Sequence, residues 1–260
     1  PRMMAAIARI DEAIRGAKRW IGAGLKLVVL PEYVLTGPPW GESIPEWLEK
    51  GTIAPDGAEV EALAAVADRH GIYLGVNAYE TDRHFPGLYF QGSFILDPAG
   101  KRILSYRRLI SMFAPTPHDV WDRYLDVYGL DGVFPVVDTP IGKLAAVASE
   151  EILYPEVARC HAVRGANVFL HSSSEVGAAT LTPKQIARRA RALENLAFVV
   201  SANTARLVGM EIPLDSANGG SDIIDYYGRQ LIAASVGASS SATASIDMAG
   251  LRAYRASSGM

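Results

Sequence analysis

Residues 144–156 read LAAVASEEILYPE. The run Leu144 to Ala148 is small and apolar without interruption, which is the pattern of a strand buried on both faces. It passes directly into Ser149-Glu150-Glu151. A helix start follows at Tyr154-Pro155-Glu156, because proline is tolerated in a first helical turn. A strand, a tight polar turn and a helix are how α/β folds present a reactive side chain. Here the side chain at the turn is Ser149, with two glutamates directly behind it.

The pattern extends in both directions. Upstream, VFPVVDTPIGKLAAVAS (133–149) reads as strand, turn and strand. Downstream, YPEVARCHAVRG is a helix closed by Gly165, and NVFLHSS is a strand. Thr182-Pro183 opens a helix that runs through Asn195, and AFVVSANT follows as a strand. SDIIDYYGRQLIAAS reads as a hairpin around Tyr227-Gly228, and ATASIDM (242–248) is expected to be a last strand.

Towards the N-terminus, Ile7, Ile10, Ile14, Ala17 and Ile21 recur at helical spacing and form one apolar face, ended by Gly22 and Gly24. LKLVVL (25–30) is a strand stopped by Pro31-Glu32. A helix carrying Val60, Leu63 and Val66 begins at Asp56-Gly57 and closes at Gly71, and IYLGVNAYE is the next strand. LYFQGSFILD, the turn DPAG (97–100) and KRILSYRRL make a hairpin. Residues 111–132, rich in aromatic and charged side chains, are expected to be a long loop, and loops of that length in compact domains are usually functional.

Strands alternate with helices, yet hairpins interrupt the alternation. A simple doubly wound parallel sheet would lack them, so the expected fold is α/β with two mixed sheets packed face to face and helices outside. No break in composition or low-complexity linker divides the chain, so one domain over residues 1–260 is expected. The sequence begins at Pro1, and a preceding N-terminal strand is expected to be missing from it.

A net charge of −3 leaves no basic surface to argue for nucleic acid or for an anionic membrane. No apolar run approaches the roughly 18 residues needed to span a bilayer. The single cysteine, Cys160, excludes an intramolecular disulfide and fits a reducing, cytoplasmic setting. The five histidines form neither i,i+3 nor i,i+4 pairs and join no Cys/His cluster, so neither a metal nor another cofactor is expected.

Three stretches end expected strands and carry candidate chemistry: VVLPEY with Glu32, LSYRRL with Arg108, and AVASEE with Ser149. Together they resemble the nitrilase superfamily of carbon–nitrogen hydrolases. GLKLVVLPEY (24–33) is similar to its first catalytic block, ILDPAGKRILSYRRL (95–109) to its second, and residues 139–173 to its third. RARALENLAFVVSANT (189–204) and GGSDIIDYYGRQL (219–231) are similar to the segments that follow. The resemblance implies a four-layer α-β-β-α sandwich and a Glu-Lys-Cys triad that cleaves nitriles, amides or carbamoyl groups through a thioester. It also implies a small-molecule substrate and assembly as a homodimer or higher homo-oligomer.

Carried over residue by residue, Glu32 matches the glutamate, Arg108 stands at the lysine and Ser149 at the cysteine. A hydroxyl is a far weaker acid than a thiol and needs a well-placed base. A guanidinium is planar, permanently charged and prone to clamp a carboxylate, here either that of Glu32 or that of a carboxylate-bearing ligand. The expected activity is hydrolysis of an amide or nitrile C–N bond, with Glu32 as base. Two other readings fit the same residues. One is a non-hydrolytic member, either a native binding protein or a Cys→Ser trapping variant. The other is different chemistry in the same pocket, again using Glu32 as base.

Phe113, Trp121, Tyr124 and Tyr128 either line the substrate pocket or anchor the long loop. Asp119, Asp122 and Asp126 are the carboxylates that loop offers in place of the second glutamate many members carry. Glu151 is expected to be structural, as are Glu194 and Asn203, and Cys160 to be a small core or interface residue.

Overall fold

The computed structural model describes residues 1–209, 211, 216–237 and 239–257. They form two compact units, Pro1–Val133 and Phe134–Met260.

In the first unit, helix α1 (Arg2–Ile21) leads through a short 3-10 turn to strand β1 (Leu27–Val29). Helices α2 (Ile44–Lys50) and α3 (Ala58–His70) follow, then strands β2 (Tyr73–Thr81), β3 (Tyr89–Leu96) and β4 (Arg102–Arg107), and helix α4 (Trp121–Val133). The sheet order is β1-β2-β3-β4. Strands β1 and β2 are parallel and the remaining pairs antiparallel, so the sheet is mixed. The apolar face read from the sequence is the one buried: Ile7 and Ile14 of α1 and Leu63 and Val66 of α3 share one core with Leu74, Val76 and Phe94. Gly71 ends α3 in the left-handed region at φ 58°, where a side chain would be strained.

The second unit contains β5 (Val137–Thr139), β6 (Gly142–Ala148), α5 (Pro155–Val163), β7 (Val168–Ser173), α6 (Pro183–Asn195), β8 (Phe198–Asn203), β9 (Asp222–Ile224), β10 (Gln230–Ala233) and α7 (Met248–Ser257). Its sheet runs β10-β9-β8-β7-β6-β5. The central strands β6, β7 and β8 are parallel, with antiparallel strands at both sides. Leu144 to Ala148 are buried, as their uninterrupted apolar run predicts.

Two local expectations are corrected, and one helix was not anticipated. Residues 111–132 are not a loop throughout: a 3-10 turn (Pro117–Val120) leads straight into α4. Thr116 and Asp119 cap the turn, and Trp121, Tyr124 and Tyr128 recur at helical spacing. ATASIDM forms no strand among the described residues, and α7 begins at its last residue. There Asp247 accepts a hydrogen bond from the Gly250 N–H (2.8 Å), which favours a helix start over a sheet ladder. Helix α2 was not anticipated, although Ser43 and Glu46 form a capping box with Pro45 between them.

Candidate active site

Ser149 follows the last residue of β6 and opens a 3-10 turn that runs to Leu153. Its φ of 49° is uncommon for a non-glycine residue and marks a sharp elbow. Two buried groups hold the elbow. The Glu151 side chain reaches back to accept from the Ala148 N–H at 3.0 Å. His171, on the neighbouring strand β7, places Nε2 2.9 Å from the Ser149 carbonyl oxygen and Nδ1 2.9 Å from Ser201 Oγ on β8. A carbonyl oxygen can only accept, so Nε2 carries the proton and Nδ1 accepts from the Ser201 hydroxyl. Burial, reinforced by the nearby Arg188 charge, holds the His171 pKa well below the ordinary histidine value, so the ring is neutral.

The Ser149 hydroxyl is met by a residue the sequence reading did not single out. Lys184 Nζ donates to Ser149 Oγ at 3.0 Å and pairs with Glu150 Oε1 at 2.6 Å. Lys184 is buried, whereas the Glu150 side chain is 34% exposed. Lys184 is placed by the start of α6. Thr182 accepts from the Gln185 N–H at 3.2 Å, the Gln185 side chain accepts from the Thr182 N–H at 2.9 Å, and Pro183 occupies the first turn.

One turn further along α6, the buried Arg188 guanidinium pairs with Asp222 at 3.1 Å and with Glu175 at 3.4 Å. Glu150, Glu175, Thr180, Leu181 and Lys184 line a cleft of about 500 Å³ in this unit. Gly177 also lines it, where a Cβ would overlap the Asn218 amide. Asn203 braces the cleft wall, accepting from the Glu175 N–H and donating to the Gly219 carbonyl, each at 2.6 Å.

Glu32 and Arg108 lie in the first unit, after β1 and β4, and the structure brings them together. Arg108 Nη1 is 2.8 Å from Glu32 Oε1 and 2.7 Å from Gln91 Oε1. Gln91 Nε2 donates to the same Glu32 oxygen at 2.8 Å and to Asn77 Oδ1 at 3.1 Å, and Asn77 donates to Ser93 Oγ at 3.0 Å. Both charged side chains are almost fully buried. The clamp anticipated from a guanidinium beside Glu32 is therefore present, with Gln91 and Asn77 as its unanticipated supports.

The four aromatic candidates separate. Tyr124 is fully buried, its ring packs on Phe85 and Phe90, and its hydroxyl donates to the Gly132 carbonyl at 3.2 Å. Tyr128 donates to Asp82 at 2.6 Å beneath the Arg107 guanidinium. Those contacts anchor α4. Phe113 is exposed and Trp121 half-buried against His118. Asp119 is spent on capping Thr116, and Asp122 and Asp126 are exposed. Glu150 sits on the 3-10 turn with Glu151, not on a strand, and the pair splits as cleft acid and structural acid. Glu194 pairs with Arg191, and Cys160 is half-buried on α5.

The carbon-nitrogen hydrolase family matches residues 3–256. A formamidase of Bacillus thuringiensis (strain Al Hakam) is 31% identical over 191 residues, covering 72% of this chain and 52% of the relative. The chain thus spans about half the length of the curated relatives it matches. Among solved structures, Saccharomyces cerevisiae Nit3, a member of branch 10 of the nitrilase superfamily, superposes with a TM-score of 0.76 at 22% identity, covering 100% of this chain and 90% of that one. A mutant amidase from Nesterenkonia sp. AN1, carrying acrylamide added at its active-site cysteine, gives 0.67 at 20% identity, covering 90% and 84%. These likenesses extend to the fold: two mixed sheets flanked by helices, consistent with the expected α-β-β-α sandwich class. No described helix is long and apolar enough to cross a membrane.

Proposed function

This chain belongs to the carbon–nitrogen hydrolase family, and we propose that it hydrolyses the C–N bond of a small amide with Ser149 as nucleophile. Ser149 Oγ attacks the carbonyl, the amine departs, and water resolves an acyl-serine ester in place of the thioester a cysteine would form. In this reading Ser149 holds the family's cysteine position, Glu32 its glutamate position and Arg108 its lysine position. Phe113 and Trp121, the two candidate aromatics without a side-chain hydrogen bond among the described contacts, are the ones proposed to touch substrate.

The observation that carries the proposal is the elbow: a buried serine at positive φ, its hydroxyl within hydrogen-bond reach of a lysine. The names of the relatives, a formamidase and an amidase, support small amides as the substrate class. The test is ammonia release from formamide, acetamide, butyramide and small nitriles, with Ser149→Ala as control. Release by the native chain and loss in the variant is the expected result. No release from any of them, together with no acyl mass on Ser149, sinks the reading.

One observation favours a second reading, a member that binds an amide without turning it over. Glu32 Oε1 is already engaged by Arg108 and Gln91, so the family's base has one oxygen committed. Saturable heat of amide binding with no ammonia release is the signature of that alternative.

A further inference from the structure

We propose that Lys184 is the proton acceptor for Ser149, and that Ser149, Lys184 and Glu150 form a nucleophile–base–orienting-acid chain contained in the second unit. The inference rests on the reading of Ser149 as nucleophile.

The geometry has the form that activated nucleophiles take: a base within hydrogen-bond reach of the hydroxyl, itself fixed by a third group. Ser149 Oγ to Lys184 Nζ is 3.0 Å, and Lys184 Nζ to Glu150 Oε1 is 2.6 Å. Glu151 and His171, the titratable side chains that hold the elbow, are already committed, Glu151 to the Ala148 N–H and His171 to the Ser149 carbonyl and to Ser201. Among the described contacts, Lys184 is the side chain that reaches Oγ.

A lysine works as a base only as the neutral amine, and the charged groups around Nζ are these. Glu150 pairs with it, and Glu175 lines the same cleft. Arg188 lies one turn along the same helix, and Lys184 itself stands in the first turn of α6. His171, held neutral, adds no charge. Glu150 is partly open to water, so its carboxylate links Lys184 Nζ to solvent.

The step balances. As the Oγ–carbonyl carbon bond forms, the Oγ–H proton moves to Nζ and the carbonyl pair moves onto oxygen. On collapse the C–N bond breaks and the Nζ proton passes to the departing amine. Water then adds to the ester in the same way, releasing the carboxylic acid and regenerating Ser149 and the neutral lysine. The sum is amide plus water to acid plus amine.

The test compares the native chain with Lys184→Arg, Lys184→Met and Glu150→Gln. It reads the rate of Ser149 modification by a fluorophosphonate probe (intact mass) and ammonia release from formamide, each against pH, with thermal melts to confirm folding. The native labelling rate is expected to rise with pH through one deprotonation. Both Lys184 variants are expected to lose that limb and to label on the order of 100-fold slower or worse. Arginine keeps the charge but cannot accept a proton at these pH values. Glu150→Gln removes the carboxylate that orients Lys184, so it is expected to label more slowly than the native chain while keeping the pH limb. If Lys184→Arg labels at the native rate with the native pH profile, or if the native folded chain does not label at Ser149, the proposal is overturned. Lysine-dependent labelling without ammonia release leaves the dyad standing and sinks the hydrolase reading. Ammonia release indifferent to Lys184 does the reverse.

Discussion

The acid–cation pair Glu32–Arg108 in the first unit and the pair Glu150–Lys184 in the second are built differently. In the first unit Glu32 and Arg108 are 2% and 3% exposed and cross-linked through Gln91 to Asn77 and Ser93. In the second, Lys184 is buried but its partner Glu150 is one-third exposed and faces an open cleft. A pair sealed from water with its donors assigned is fixed in charge and geometry. A pair with one member in contact with solvent can exchange a proton during a reaction. The same types of charge thus form a sealed pair in one unit and a solvent-linked pair in the other, which is the difference the proposed proton transfer relies on.

The sharpest way to break this contrast is at the nucleophile. Ser149→Ala should lower ammonia release by on the order of 1000-fold or more while leaving the melting temperature near native; an active Ser149→Ala protein would remove the second unit's claim to the chemistry. The contrast itself is measured by removing one partner from each pair. Arg108→Met should cost about 3–5 kcal/mol in urea unfolding, because Glu32 is left buried without its guanidinium. Glu150→Gln, at a site one-third exposed, should cost about 1 kcal/mol or less. Equal losses would erase the distinction.

A third measurement is the acid limb of stability. Burial pushes His161 down to about 4 and His171 well below its ordinary value. Both folded values lie below the unfolded one of about 6.5, so the unfolded chain binds more protons as the pH falls. Stability should therefore be full above about pH 6.5 and decline below it, each histidine adding a slope of about 1.4 kcal/mol per pH unit. For His161 the decline stops near pH 4. His161→Phe should remove one proton's share of that slope in pH-dependent urea melts. The smallest effect belongs to the α6 cap. Thr182→Ala should destabilise by about 1 kcal/mol and slow Ser149 labelling, since it loosens the turn that carries Lys184.

Much of this was legible in the sequence because the signals are local. The apolar face from Ile7 to Ile21, the DPAG turn and the Thr182-Pro183 start each specify an element through nearest neighbours, and each is present. The elbow at Ser149 was legible too, since an apolar strand stops abruptly at a polar turn before Pro155. Residues 111–132 misled because aromatic and charged side chains obscured a helical period that Trp121, Tyr124 and Tyr128 do keep. ATASIDM has strand-like composition, but strand formation needs a partner edge that composition does not report. Lys184 was invisible for a related reason. A lysine in a first helical turn reads as solvent-facing, and only the sheet registers that bring β6, β7 and β8 together place it at a serine 35 residues away.

The backbone at Ser149 also limits what evolution or an engineer can install there. At φ 49° a branched Cβ crowds its own main chain, so threonine, chemically an equivalent alcohol, is disfavoured at this position. Serine, cysteine, alanine and glycine fit the same turn with little rearrangement. The interchange of oxygen and sulfur is thus a change of one side-chain atom on an unmoved frame. The elbow's torsion angle thus narrows this position to small, unbranched side chains.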